Sequence, residues 1–131
     1  MRTLDTNVLV RIFAQDDENQ TRIAKGLLGE PHLLLPSVLV ELIWVLQSRY
    51  GFGRDRIAAQ LGAILGGPHA IVASPIAVRW ALDRFEAGAD FADMLHYALA
   101  EELEATSFAT FDKRIKPHQV AGSTVTLERL A

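Results

Sequence analysis

The chain has 131 residues, half of them hydrophobic and 22% charged, which suits one globular domain with a continuous core and excludes a disordered chain. It carries no cysteine, so disulfides, zinc–thiolate sites and cysteine nucleophiles are excluded. The formal net charge of -3 argues weakly against a non-specific nucleic-acid binder, although acids that hold a metal are counted there without their cation.

Residues 2–5 read as a short first strand, and Asn7 to Phe13 as the start of a helix. The polar run Asp16-Asp17-Glu18-Asn19 opens a second helix, with Ile23, Ala24, Leu27 and Leu28 at helical spacing. Leu33 to Leu35 make a second strand, stopped by Pro36, and Ser37 opens a helix to about Tyr50 that Gly51 and Gly53 end. Asp55 to Leu65 is amphipathic, with Ile57, Ala58, Leu61, Ile64 and Leu65 on one stripe. Ala70 to Ala73 is a third strand. Pro75 to Ala87 is a helix with Val78, Ala81, Leu82 and Phe85 inward, and Asp90 to about Glu104 is another. Ser107 to Phe111 is a fourth strand and Thr124 to Leu127 a fifth. Short strands separated by helices imply a mostly parallel sheet of four to five strands covered by helices, a three-layer α/β/α sandwich in a single domain over residues 1–131.

No apolar stretch reaches the roughly 20 uncharged residues of a membrane helix. The longest, Leu33 to Leu46, is interrupted by Pro36, Ser37 and Glu41. Asp5 and Asn7 fall where the apolar core of a signal peptide would have to be. The expectation is a cytoplasmic protein with no membrane contact.

Four acids stand where this pattern leaves no structural need for them. Asp5 ends the first strand, and ligands in open α/β sheets bind at the carboxyl ends of strands; an Asp there also caps a helix well. Glu41 is the only charge between Val38 and Leu46, in a helix apolar all round. Such a helix is expected to be buried, and a buried carboxylate is costly unless paired or metal-bound. Ser37 lies one turn earlier on the same face. Asp90 and Asp93 open the sixth helix, where a cap and a first-turn acid also serve free amides and the helix dipole. Asp112 ends the fourth strand, a place where turn residues are common. Clustered carboxylates repel by about 4 kcal/mol per pair at ~4 Å with an effective dielectric near 20. A hard divalent cation neutralises such a cluster, and oxygen-only ligation suits Mg2+ or Mn2+.

Together these stretches resemble a PIN-domain ribonuclease of the VapC toxin type. The resemblance rests on Leu-Asp-Thr-Asn-Val-Leu at 4–9, Pro-Ser-Val-Leu-Val-Glu-Leu at 36–42, Asp-Phe-Ala-Asp-Met-Leu-His at 90–96 and Thr-Phe-Asp-Lys at 110–113. It implies a PIN-like fold and an endoribonuclease that requires Mg2+ or Mn2+. It also implies a two-fold homodimer and a small VapB-like antitoxin encoded beside it. The family's acids map onto Asp5, Glu41, Asp93 and Asp112, with Asp90 as a further metal ligand and Thr6 and Thr110 as supporting hydroxyls. Asp93 is preferred over Asp90 because Met94-Leu95-His96 follows it in the family's pattern. Ile115 departs from the aromatic that many relatives carry there, which touches packing more than chemistry.

The chemistry so implied is in-line attack of water on an RNA phosphodiester, the cation lowering the water's pKa and polarising the phosphoryl oxygen. Lys113, Arg114 and Lys116 follow Asp112, and Arg11 lies within two helical turns of Thr6; Lys113, Arg114 and Arg11 are candidates for gripping phosphate. Arg49, Arg54 and Arg56 form another basic group, and His96 and His118 read as structural. An aspartate phosphatase would carry a second acid where Asn7 stands, and a receiver domain an acceptor near 62–67, where no acid occurs. A catalytically silent metal- or phosphate-binding α/β module of receiver-like kind is the remaining alternative. Trp44 and Val45, on a helix too apolar to be covered by one small core, are expected to meet a second copy or an antitoxin helix.

Overall fold

The computed structural model describes residues 1–131, and the chain divides into two compact units, Met1–Ala73 and Ser74–Ala131. It is a mixed α/β protein in which every paired strand is parallel to its neighbour.

The first unit contains β1 (Arg2–Thr3), α1 (Thr6–Ala14), α2 (Glu18–Leu27), β2 (His32–Leu34), α3 (Pro36–Ser48), α4 (Arg54–Leu65) and β3 (Ala70–Val72). Its sheet has the order β1-β2-β3, with Arg2 opposite His32 and His32 opposite Ala70. Parallel neighbours need a crossover between them. Helices α1 and α2 supply the first and α3 and α4 the second. Asp17 caps α2 by accepting the Gln20 amide at 2.9 Å. Pro36 does not merely stop β2; it is the first residue of α3, where a missing N–H costs nothing.

The buried face of α3 is Leu39, Leu42, Ile43 and Leu46. Glu41 and Trp44 fall on its other side and are exposed, so the helix is apolar in composition but one-sided in burial. The expected inward set on α2 is likewise incomplete. Ala24 is buried, but Ile23 is 56% exposed, because Thr21 and Ala24 set the inward stripe.

The second unit contains α5 (Pro75–Glu86), α6 (Phe91–Glu102), β4 (Ser107–Thr110), a 3-10 turn (Pro117–Val120) and β5 (Thr126–Arg129). Strands β4 and β5 pair with Ser107 opposite Thr126. Thus the five strands lie in sheets of three and two. Val78, Ala81, Leu82 and Phe85 are all buried, as the period of α5 requires. Phe85 meets Phe91 edge-on at 6.3 Å, which locks the start of α6 against α5. Tyr97 is fully buried, stacks with Trp80 at 6.3 Å and packs on Phe108 at 5.1 Å. Its hydroxyl donates to the Val125 carbonyl, so burial leaves no orphaned polar group. Desolvation raises the Tyr97 pKa above the usual phenol range.

Candidate active site

In the first unit, Asp5 follows β1 and is the N-cap of α1. Its carboxylate accepts the Thr6 amide at 2.8 Å through one oxygen, which leaves the other oxygen without a protein donor. Capping and ligand binding are therefore compatible in one exposed side chain. Thr6 is buried directly behind it. Glu41 is exposed rather than buried, so the desolvation argument made from its apolar surroundings does not hold. What singles it out is its place: it lines a cleft of about 540 Å³ with Thr6, Asn7 and Arg11 of α1 and Trp44, Val45 and Arg49 of α3 and its cap. Ser37, one turn earlier, is also exposed. Arg11 is tied to Gln20 at 2.6 Å and to Asp16 at 3.2 Å.

In the second unit, Asp90 is the N-cap of α6 and accepts the Asp93 amide at 2.9 Å. That bond closes the first turn, on which Asp93 is partly buried. The Asp93 pKa is raised, first by burial, then by the negative charges of Asp90 and Asp112. Asp93 therefore feels the charge of both Asp90 and Asp112. Thr110 accepts the Asp112 amide at 2.9 Å and so shapes the turn after β4. Arg114 reaches back onto Asp112, with Nη2 at 2.7 Å and Nε at 3.0 and 3.1 Å from its two oxygens. Those bonds hold the Asp112 carboxyl down at about 2. Lys113 is exposed and Ile115 is buried, so the aliphatic residue fills the packing position on its own.

A family model for the PIN domain matches residues 3–120, spanning both units. The chain belongs to the PIN-domain family. Its mixed α/β architecture is that of the family, and PIN domains are generally metal-dependent nucleases. No curated protein matches the chain.

The donor chemistry of Asp90, Asp93 and Asp112 fits a hard divalent cation. All ligating atoms are oxygen, and burial followed by the charges of Asp90 and Asp112 raises Asp93. Their spacing is less complete, since no three His, Asp or Glu side chains stand close enough to hold an ion as they are. Arg114 supplies the positive charge at Asp112, and a cation there would have to displace it. Two features were not read from the sequence. The chelating turn of Arg114 on Asp112 depends on backbone geometry after β4. His32 is buried, with Nδ1 2.8 Å from the Glu30 carbonyl and Nε2 unpartnered; its position within β2 was the only available signal.

Proposed function

We propose that this PIN domain is a Mg2+- or Mn2+-dependent endoribonuclease of the VapC toxin kind, acting in the cytoplasm. Asp5, Glu41, Asp93 and Asp112 are its working acids, with Asp90 as an auxiliary ligand and Thr6, Ser37 and Thr110 in support. The observation that carries this reading is Asp93. A carboxylate raised by burial and by two neighbouring acids is poorly explained by stability and well explained by function. Its backbone amide is held by Asp90, which anchors the first turn of the helix that carries it.

A divalent cation, when bound, lowers the pKa of water and offsets the charge that develops on a phosphodiester. The chain's own part is to present carboxylate oxygens and to grip phosphate. Asp5 offers its uncapped oxygen. Glu41 orients the attacking water from the wall of the α1–α3 cleft. Lys113, exposed beside Asp112, and Arg11, held by Gln20 and Asp16, are the cations we assign to RNA phosphates, and Arg114 joins them once it leaves Asp112.

The same reading includes two protein partners. A groove between α1 and α2, lined by Val8, Ala24, Leu27 and the exposed Ile23, has the apolar character that the helix of a small antitoxin needs. A second copy of the chain is the other partner this reading includes.

A second reading, a catalytically silent module that binds a metal or phosphate, is favoured by the Arg114–Asp112 pair, which satisfies an acid the nuclease would use. Incubating total RNA with the purified protein in Mg2+, Mn2+ or EDTA, and mapping the ends, separates the two. Metal-dependent internal cuts support the nuclease; intact RNA in all three supports the silent module.

A further inference from the structure

The cleft between α1 and α3 holds more than an acid. Glu41, Trp44, Val45 and Arg49 follow one another at steps of three, one and four residues, which puts them on one stripe of α3 and its cap. Trp44 is 60% exposed, an unusual fate for the largest apolar side chain in a unit with ample core. Arg49 is paired with no carboxylate, in contrast to Arg11 across the cleft. Tyr50 also lines the cleft. Its ring lies 6.0 Å from that of Phe52, and the Arg56 guanidinium lies 3.8 Å over Phe52. Aromatic and cationic groups are thus interspersed from Trp44 through Arg49, Tyr50 and Phe52 to Arg56.

We propose that this cleft is a binding subsite for unpaired RNA, with a base stacked on Trp44 and the adjoining phosphate held by Arg49. The proposal rests on the nuclease reading for its choice of RNA as the ligand. Base stacking on aromatic side chains with arginine on the backbone is the sequence-tolerant way to hold a single strand. Stacking requires a base free of its pairing partner, which selects single-stranded over duplex RNA. The cleft is of nucleotide-accommodating size. Arg49 and Glu41 would be left unpaired under the apolar face of a protein helix, which argues against the protein partner that the composition of α3 suggested. Arg49 lies eight residues beyond Glu41, about 12 Å along a helix, so a phosphate at Arg49 is kept clear of the Glu41 carboxylate.

The test is RNA binding in EDTA, where no divalent cation is present. Fluorescence anisotropy of a labelled short oligouridylate measures affinity for the wild-type chain, Trp44→Ala, Trp44→Phe and Arg49→Ala, each checked for fold by circular dichroism. Trp44→Ala weakens binding about tenfold or more, and Trp44→Phe recovers most of the loss. Arg49→Ala weakens binding and lowers the salt-dependence slope by about 0.7. The chain has two tryptophans, so in a Trp80→Phe background the RNA should quench Trp44 directly. Undiminished affinity in both alanine variants overturns the proposal. So does light scattering that shows a dimer dissociated by Trp44→Ala, because the surface would then belong to a second copy. Trp44-dependent binding without cleavage in Mn2+ overturns the nuclease reading and leaves the subsite standing. Cleavage in Mn2+ with binding indifferent to Trp44 and Arg49 does the reverse.

Discussion

Arg114 holds Asp112 from two sides. Its guanidinium engages both carboxylate oxygens, at 2.7 to 3.1 Å, and its backbone amide donates to one of them at 2.8 Å. An acid so satisfied is a poorer partner for any other cation, and the Asp93 carboxylate nearby also feels Arg114 as a stabilising charge. Arg114→Ala should therefore raise the Asp112 pKa from about 2 toward the ordinary carboxylate value of about 3.9. It should also enlarge the melting-temperature gain produced by millimolar Mn2+, since tighter binding to the folded state stabilises it by mass action. A Mn2+ gain equal to or smaller than that of wild type speaks against competition between the guanidinium and the metal.

Asp93 carries a raised pKa because burial, Asp90 and Asp112 all disfavour its charged form. Between the unfolded value and the raised folded value the native state binds more protons, so stability falls as pH rises through that window. At pH 7 the charge is a cost to the fold in the absence of a cation. Asp93→Asn removes that cost and keeps the shape. In EDTA its melting temperature should be no lower than that of wild type, and a clearly lower value at pH 7 would show that the carboxylate serves structure.

Glu101 shows the opposite shift. One of its oxygens accepts the Thr124 amide at 2.7 Å, the Ser123 hydroxyl at 3.0 Å and the Thr124 hydroxyl at 3.1 Å. The first of these bonds does most to hold its pKa below the ordinary value. Stability from this group is present above its unfolded pKa and is lost as pH falls through the depressed one. Glu101→Gln should lower stability at pH 7 by about 1 kcal/mol and flatten the acid side of the stability profile. Denaturant melts from pH 7 to pH 3 measure both effects, and parallel profiles for the two proteins would contradict the assignment.

Tyr97→Phe keeps the ring stack with Trp80 and Phe108 but removes the donor to the Val125 carbonyl. The expected cost is about 1 kcal/mol in urea unfolding. No loss would mean that water replaces the hydroxyl without penalty.

Much of this was legible in the sequence where one periodicity acted alone. The inward stripe of α5 and the acids placed at strand and helix ends follow from spacing and capping chemistry. The failures came where composition stood in for geometry. An apolar run around Glu41 suggested burial, yet 3.6 residues per turn rotates Glu41 and Trp44 away from Leu42 and Leu46. Ile23 matched a helical pattern but sits on the rim of the α1–α2 groove. Arg114 was read from sequence only as a phosphate contact; its grip on Asp112 was not legible, because it requires a turn whose conformation Asp112 itself helps to set through the Arg114 amide.

The most direct measurement compares RNA cleavage by the wild-type chain and by Asp93→Asn in millimolar Mn2+, with Asp90→Asn and an EDTA control alongside. The account predicts internal cuts by wild type that vanish in EDTA, no cuts by a folded Asp93→Asn, and a milder loss in Asp90→Asn. Wild-type cleavage by Asp93→Asn, or no metal-dependent cleavage by the folded wild-type protein, would contradict it.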